Sequence, residues 1–294
     1  MKVIPLAFES LGTRSMATFV ETKDCSILID PGVALGPLRY GLEPHEIELE
    51  RLLQHWSEIK SYSENSNILV ITHYHYDHYN PKEIEIYRGK TVLIKHPEEN
   101  INFSQKKRSK YFLSQIKNLP SEIRHSDGQT FEFGNTTIIF SEPVYHGTDS
   151  KLGYVTEVGI KEGKDTFLHT SDVEGPSLKP QNSFIIEQDP DIIFCDGPMT
   201  YMPYNYSKQS LQDSIRNLLE IMDKTHVKKL ILDHHLLRDL DWKESVKDLF
   251  PVAEEKGMEI ISAAEFRGSK NDLLEARRKE LWKQHPPQKT SNTQ

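Results

Sequence analysis

Three imidazoles and a carboxylate fall within the run Thr72-His73-Tyr74-His75-Tyr76-Asp77-His78. These are metal-ligating types. Imidazole nitrogen suits zinc and iron and carboxylate oxygen suits harder ions, so the mixture points to zinc first and iron or manganese second. In extended backbone His73 and His75 project to the same side and can share one ion. Asp77 and His78 lie further on and can reach a second. The apolar run Ile68-Leu69-Val70-Ile71 directly before them reads as a buried strand, which would present the ligands at the edge of a sheet.

The pattern His-x-His-x-Asp-His after a hydrophobic strand resembles the signature of the metallo-β-lactamase superfamily, and all four ligand positions match. The resemblance runs from about residue 3 to about residue 265 and implies further marks in a fixed order. Asp30, closing the run Ser26-Ile27-Leu28-Ile29, would brace the ligand loop without touching metal. As residues alone, Asp30-Pro31-Gly32 is also ordinary turn chemistry. His146 would complete a first site with His73 and His75. Asp172 would bridge to a second site made of Asp77, His78 and His234. The doubled His234-His235 leaves the reverse assignment open, with His234 favoured by aligning strand ends. The segments Phe8-Glu9-Ser10-Leu11-Gly12-Thr13-Arg14-Ser15-Met16 and Asp233-His234-His235-Leu236-Leu237-Arg238-Asp239 further resemble a mainly archaeal branch described as metal-dependent hydrolases or ribonucleases.

The implied fold is α/β, a four-layer αββα sandwich, over residues 1–268. A helical, basic insertion is expected at about 97–123, and a C-terminal helix and disordered tail at 269–294. The implied activity is that of a dinuclear hydrolase, with two divalent ions acidifying a water that Asp77 orients. His235 and His169 are the candidate proton donors. His169 stands where tRNA 3′-processing members of the superfamily carry a glutamate. The favoured substrate is a phosphodiester, with RNA included. A small ester, lactone or thioester is the alternative. The stretch between Asp172 and His234 is too short for the nucleic-acid domain of the β-CASP nucleases. Di-iron redox chemistry with a flavin partner lacks an attached flavodoxin-like domain, and a non-catalytic binding role would need a broken ligand set.

The 294 residues carry a formal net charge of −8 and 36 % apolar side chains. That composition supports a sizeable core and argues against a protein that coats nucleic acid by bulk charge. Local charge can still matter. Lys106, Lys107, Arg108 and Lys110 form either a solvated helix face or a phosphate-contacting edge. No apolar run approaches the roughly 18 residues that span a bilayer. Cys25 and Cys195 show no paired spacing and read as free buried thiols. The expected compartment is the cytoplasm, with no membrane partner. Nothing in the sequence speaks to oligomeric state.

Periodicity places strands at 3–8, 16–21, 25–29, 68–71, 91–95, 130–133, 136–140, 153–160, 166–169, 191–196, 228–232 and 258–262. Helices are expected at 44–61, where Leu49, Leu52, Leu53 and Trp56 recur at helical spacing, and at 81–86, 104–117, 210–226, 243–256 and 273–281. The loop from Gly197 to Tyr206 carries three tyrosines that could line a pocket, and disorder is expected from Gln284.

Overall fold

Short apolar strands separated by turn residues assemble two sheets in the computed structural model, which describes residues 1–286. The first sheet takes its strands in chain order: β1 (Lys2–Phe8), β2 (Met16–Glu21), β3 (Ser26–Ile29), β4 (Ile68–Ile71), β5 (Thr91–Ile94) and β6 (Glu122–His125). The first three are antiparallel, and β3 to β6 run parallel. Then follow β7 (Thr130–Phe133), β8 (Thr136–Phe140), β9 (Val144–Tyr145), β10 (Tyr154–Val155), β11 (Val158–Glu162), β12 (Asp165–His169), β13 (Ile192–Asp196), β14 (Lys229–Asp233) and β15 (Glu259–Ile261). The second sheet has the order β15-β14-β13-β12-β11-β8-β7, while β9 and β10 pair separately. Strands β12 to β15 are parallel.

Alternation along the strands decides the layers. Ile68 and Val70 turn into the core between the sheets, against Ile138, Phe140, Val158, Phe167 and Phe194 of the second sheet. Leu69 and Ile71 turn outward under α1 (Glu46–Glu64) and α2 (Phe103–Ile116). On the far side, Leu168, Ile193, Leu230 and Leu232 are covered by helices α3 (Lys179–Gln188) and α4 (Lys208–Lys224). Helices α5 (Trp242–Ser245), α6 (Leu249–Lys256), α7 (Ala263–Phe266) and α8 (Arg278–Gln284) follow. The arrangement is the expected four-layer αββα sandwich.

Several expectations are corrected. Of the apolar stripe assigned to α1, Trp56 meets the core and Leu52 is half-buried, but the inward face is rotated from the one expected. Leu49 and Leu53 are 48 % and 69 % exposed, and Trp56, Ile59, His55 and Glu48 face inward. Glu48 can do so because Arg278 forks onto it at 2.7–3.1 Å, with both side chains fully buried. Residues 97–123 are not a separate insertion. Helix α2 and the start of β6 form the crossover that adds β6 beside β5, with Phe112 and Ile116 packed on the sheet. The expected helix at 81–86 is a 3-10 turn, Ile84–Tyr87. Helix α3 was not foreseen, since its inward face includes Gln181, Asn182 and Gln188 and so shows weak apolar periodicity. The helix expected over 243–256 breaks into α5 and α6. Pro251 lacks the N–H that an unbroken helix would need, and it falls instead in the first turn of α6. The terminal helix begins at Arg278, five residues later than expected. Gln284, where disorder was expected to begin, closes α8, and the carbonyl of His285 accepts from His45 Nε2 at 2.8 Å. The remainder of the expected tail, residues 287–294, lies outside the described residues.

Candidate metal centre

Parallel strands end on one side of each sheet, and the chemistry gathers there. Asp30 follows β3, the histidine-rich loop follows β4, Asp172 follows β12, Asp196 ends β13, and His234 follows β14. His146 arrives from the small hairpin, directly after β9, with its amide donating to the Gly153 carbonyl at 3.0 Å. At the turns off these strands Asp30, Ser171, Glu174 and His234 hold positive φ, a conformation that costs non-glycine residues energy and tends to collect at functional sites.

Two groups of ligand atoms converge. His73, His75, His146 and Asp172 form one, and Asp77, His78, Asp172 and His234 the other. Asp172 belongs to both. Its Oδ2 lies 3.1 Å from His146 Nε2 and 3.5 Å from His73 Nε2. Its Oδ1 lies 2.9 Å from His78 Nε2 and 3.2 Å from His234 Nε2. Ligands 2.1 Å from a tetrahedral ion sit about 3.4 Å from one another, so these separations suit atoms sharing a cation. Asp77 is further out, its Oδ2 being 3.9 Å from His234 Nε2 and 4.0 Å from His78 Nε2.

The chemistry of these atoms tests the fit. The Nε2 atoms of His73, His78 and His146 and Oδ1 of Asp172 are buried without a hydrogen-bond partner, and buried polar atoms are rarely left so. In His78 and His234 the opposite ring nitrogen is occupied. His78 Nδ1 donates to Asp30 Oδ2 at 2.8 Å, and His234 Nδ1 donates to Glu9 Oε2 at 2.7 Å. That fixes the tautomer with Nε2 free. Asp30 is itself held, accepting from the Thr72 amide at 2.8 Å and the Thr72 hydroxyl at 2.7 Å. It thus links the Thr72 main chain and hydroxyl to the His78 ring. Gly32 completes the support, since a methyl there would fall on the main chain of His78 and Tyr79.

Electrostatics follow the same pairing. Burial disfavours the charged form of His78, yet Asp172 and Asp30 outweigh it and hold the imidazole well above its ordinary value. His234 is raised in the same way by Glu9 and Asp172. Burial also opposes protonated His146, but Asp172 and Glu174 raise it to about 9. His73, dominated by burial and by neighbouring His78, falls to about 4.

The other candidates divide. His235 stands beside the cluster, with Nδ1 3.0 Å from both oxygens of Asp196 and Nε2 4.0 Å from Glu174 Oε1. Burial, with Arg238 and His234 nearby, keeps it well below the ordinary imidazole value and hence neutral. His169 is corrected as a proton donor to substrate. Its Nε2 donates to the Met16 carbonyl at 3.0 Å and its Nδ1 accepts from the Ser171 amide at 3.1 Å, so neither nitrogen is free. Lys106, Lys107 and Lys110 lie on the exposed face of α2, and only Arg108 turns toward the ligand loop, donating to the Tyr74 carbonyl at 3.3 Å. Of the loop tyrosines, Tyr201 alone comes to the centre, accepting from Arg238 Nη1 at 3.1 Å, whereas Tyr204 is fully exposed and Tyr206 is buried.

Glu9, Glu174, Asp196, Asp233 and Arg238 were missed. Asp196 and Asp233 had a signal available, because each closes an apolar strand as Asp30 does. Asp233 accepts from the amides of Ser10, His234 and Ala263, tying three strand-end segments together. Glu9 and Arg238 had none, because their partnership spans most of the chain: Arg238 Nη2 sits 2.6 Å from Glu9 Oε1 and 3.4 Å from His234 Nε2.

Comparison with known proteins agrees with this geometry. A family model described as the metallo-beta-lactamase superfamily matches residues 12–225. A UPF0282 protein of Korarchaeum cryptofilum is 52 % identical over 288 residues, covering 97 % of this chain and 96 % of its own. A UPF0282 protein of Methanocaldococcus jannaschii is 47 % identical over 292 residues, covering 96 % of each. Among solved structures, the metallo-beta-lactamase fold protein YhfI from Bacillus subtilis superposes with a TM-score of 0.53 at 15 % identity, over 92 % of this chain and 95 % of that one. An isothiocyanate hydrolase from Delia radicum gut bacteria gives 0.54 at 17 %, over 89 % and 95 %. At these identities the two structures speak to the fold.

Proposed function

The chain belongs to the metallo-beta-lactamase superfamily and within it to the UPF0282 proteins, and from that premise we propose that it is a dinuclear metal-dependent hydrolase acting on phosphodiesters. What carries the reading is Asp172, whose two oxygens face two separate pairs of imidazole nitrogens, most of them buried and unpartnered. His73, His75 and His146 would hold a first ion and Asp77, His78 and His234 a second, with Asp172 belonging to both groups. When bound, two divalent ions supply an acidified water and positive charge for the oxygens of the reacting group. Zinc suits this donor set first, with iron or manganese next.

The chain's own groups do the rest. Asp30 and Glu9 hold His78 and His234 with Nε2 forward. Asp77, at the rim of the second cluster, would orient the water. His235 carries the proton: neutral, with Nδ1–H held by Asp196, it offers Nε2 to accept a proton and return it to the leaving oxygen. Arg238, fixed by Glu9 beside His234, adds a guanidinium where an anionic substrate would lie, which favours a phosphodiester over a neutral ester.

Elemental analysis of reconstituted protein should find about two ions per chain, and metal-loaded protein should turn over bis(p-nitrophenyl) phosphate. Absence of metal above background removes the reading. Turnover of lactones or thioesters with none of the phosphodiester transfers it to a small-ester hydrolase.

A further inference from the structure

One face of α2 carries a stripe that the core does not use. Gln105, Ser109, Phe112 and Ile116 point inward. On the outer side Phe103, Lys106, Lys107, Lys110 and Tyr111 recur at intervals of three and four and so share one face. Phe103 is 86 % and Tyr111 52 % exposed. In a chain of net charge −8, none of the lysines of this stripe, nor neighbouring Arg108, joins an ion pair among the described residues. The stripe thus combines uncompensated positive charge with exposed rings over the roughly 20 Å of a 14-residue helix.

The helix is also fixed to both ligand loops. Asn102 and Gln105 donate to the carbonyls of Lys151 and Leu152 at 2.7 Å each, on the loop that follows His146. At its flank, Arg108 lies 4.8 Å over the ring of Tyr76, which is half exposed and stands between His75 and Asp77. Tyr76 and Arg108 therefore make a step from the stripe to the centre.

We propose that this face of α2 is a binding ledge for a single-stranded polynucleotide, which it guides over Arg108 and Tyr76 into the metal centre. The inference rests on the phosphodiester reading and narrows its substrate to a polymer. Cations following a backbone, interleaved with rings on which bases stack, are how proteins hold single strands without reading sequence. A strand also explains why rings flank the three lysines at either end of the stripe, where a small substrate would need neither.

The test uses full-length, metal-loaded protein and fluorescein-labelled single-stranded RNA and DNA of about twelve nucleotides. Binding is followed by anisotropy between about 50 and about 200 mM salt. A Lys106→Gln, Lys107→Gln, Lys110→Gln variant should bind roughly tenfold more weakly at low salt and lower the slope of log affinity against log salt by about 2. A Phe103→Ala, Tyr111→Ala variant should lose roughly tenfold with its slope unchanged. Both should hydrolyse bis(p-nitrophenyl) phosphate like the parent. Parental affinity and slope in both variants overturn the ledge, and so does the absence of strand binding. Lysine-dependent binding to phosphatidylserine vesicles in place of strands overturns it in favour of a membrane surface. Should the parent bind strands through these residues yet hydrolyse no phosphodiester, the ledge stands and the hydrolase reading fails.

Discussion

Asp172 sets the chemistry of its neighbours by sitting between them. A carboxylate within 2.9–3.5 Å of four imidazoles holds negative charge where cations are wanted, and burial alone would push its proton back on. The histidines win, and its carboxyl stays well below the ordinary range. Adjacent histidines then take opposite parts. His234 aims Nε2 at Asp172, whereas His235 turns Nδ1 onto Asp196. His234→Ala should therefore lose metal and activity together. His235→Ala should keep its metal and slow phosphodiester turnover by roughly a hundredfold. Metal content beside turnover number checks both, and metal loss in the His235 variant would exchange their roles. The loop from His73 to His78 was legible because its ligands are local. Glu9 and Glu174 were not, because only folding brings them to histidines far away in sequence.

Elements position these residues through their ends, and what secures the ends is not always apolar. Helix α1 illustrates this. A reading of leucines put its core face about one residue step away from where it lies, because the buried Glu48–Arg278 pair occupies positions a sequence pattern counts as solvent-facing. Glu48 also accepts from the His45 amide at 2.8 Å, so one carboxylate both caps α1 and docks the C-terminal segment. Removing either partner strands a buried charge. Glu48→Ala and Arg278→Ala should each cost about 3–5 kcal/mol in denaturant unfolding, while joint replacement by apolar residues of similar volume should come close to neutral. Losses no larger than those of surface substitutions would remove the pair from the list of what holds α1. Strand positions were read closely because alternation and turn residues are local signals. Helix α3 and the break at Pro251 depended on what lies across the interface.

At the scale of the molecule, both sheets are sealed on two faces, and polar groups caught inside carry a pH signature. Glu157 has both carboxylate oxygens buried without a partner, and burial pushes its carboxyl well above the ordinary value of 4.5. Folded protein therefore keeps this proton at pH values where the unfolded chain releases it. The stability it contributes is present below pH 4.5 and is progressively lost as pH rises toward the folded value. Glu157→Gln keeps the shape without the proton. It should melt higher than the parent at neutral pH, with the difference vanishing toward pH 4.5. A melting temperature unchanged across that range would mean that the carboxyl finds compensation in the folded state. The layered architecture could be read from strand order and family resemblance, but a lone buried acid such as Glu157 has no sequence mark.

The split of the proposed ligand set between the two sheets also has a consequence in time. A chain emerging from the ribosome exposes His73, His75, Asp77 and His78 early, while Asp172 and His234 come late. Until the second sheet has formed and docked, the early ligands are an incomplete set, lacking Asp172 and His234. Asp172 and His234 would close that set once the second sheet is in place. On the proposed reading the choice of cation would then rest with the finished geometry rather than with whichever ion arrives first.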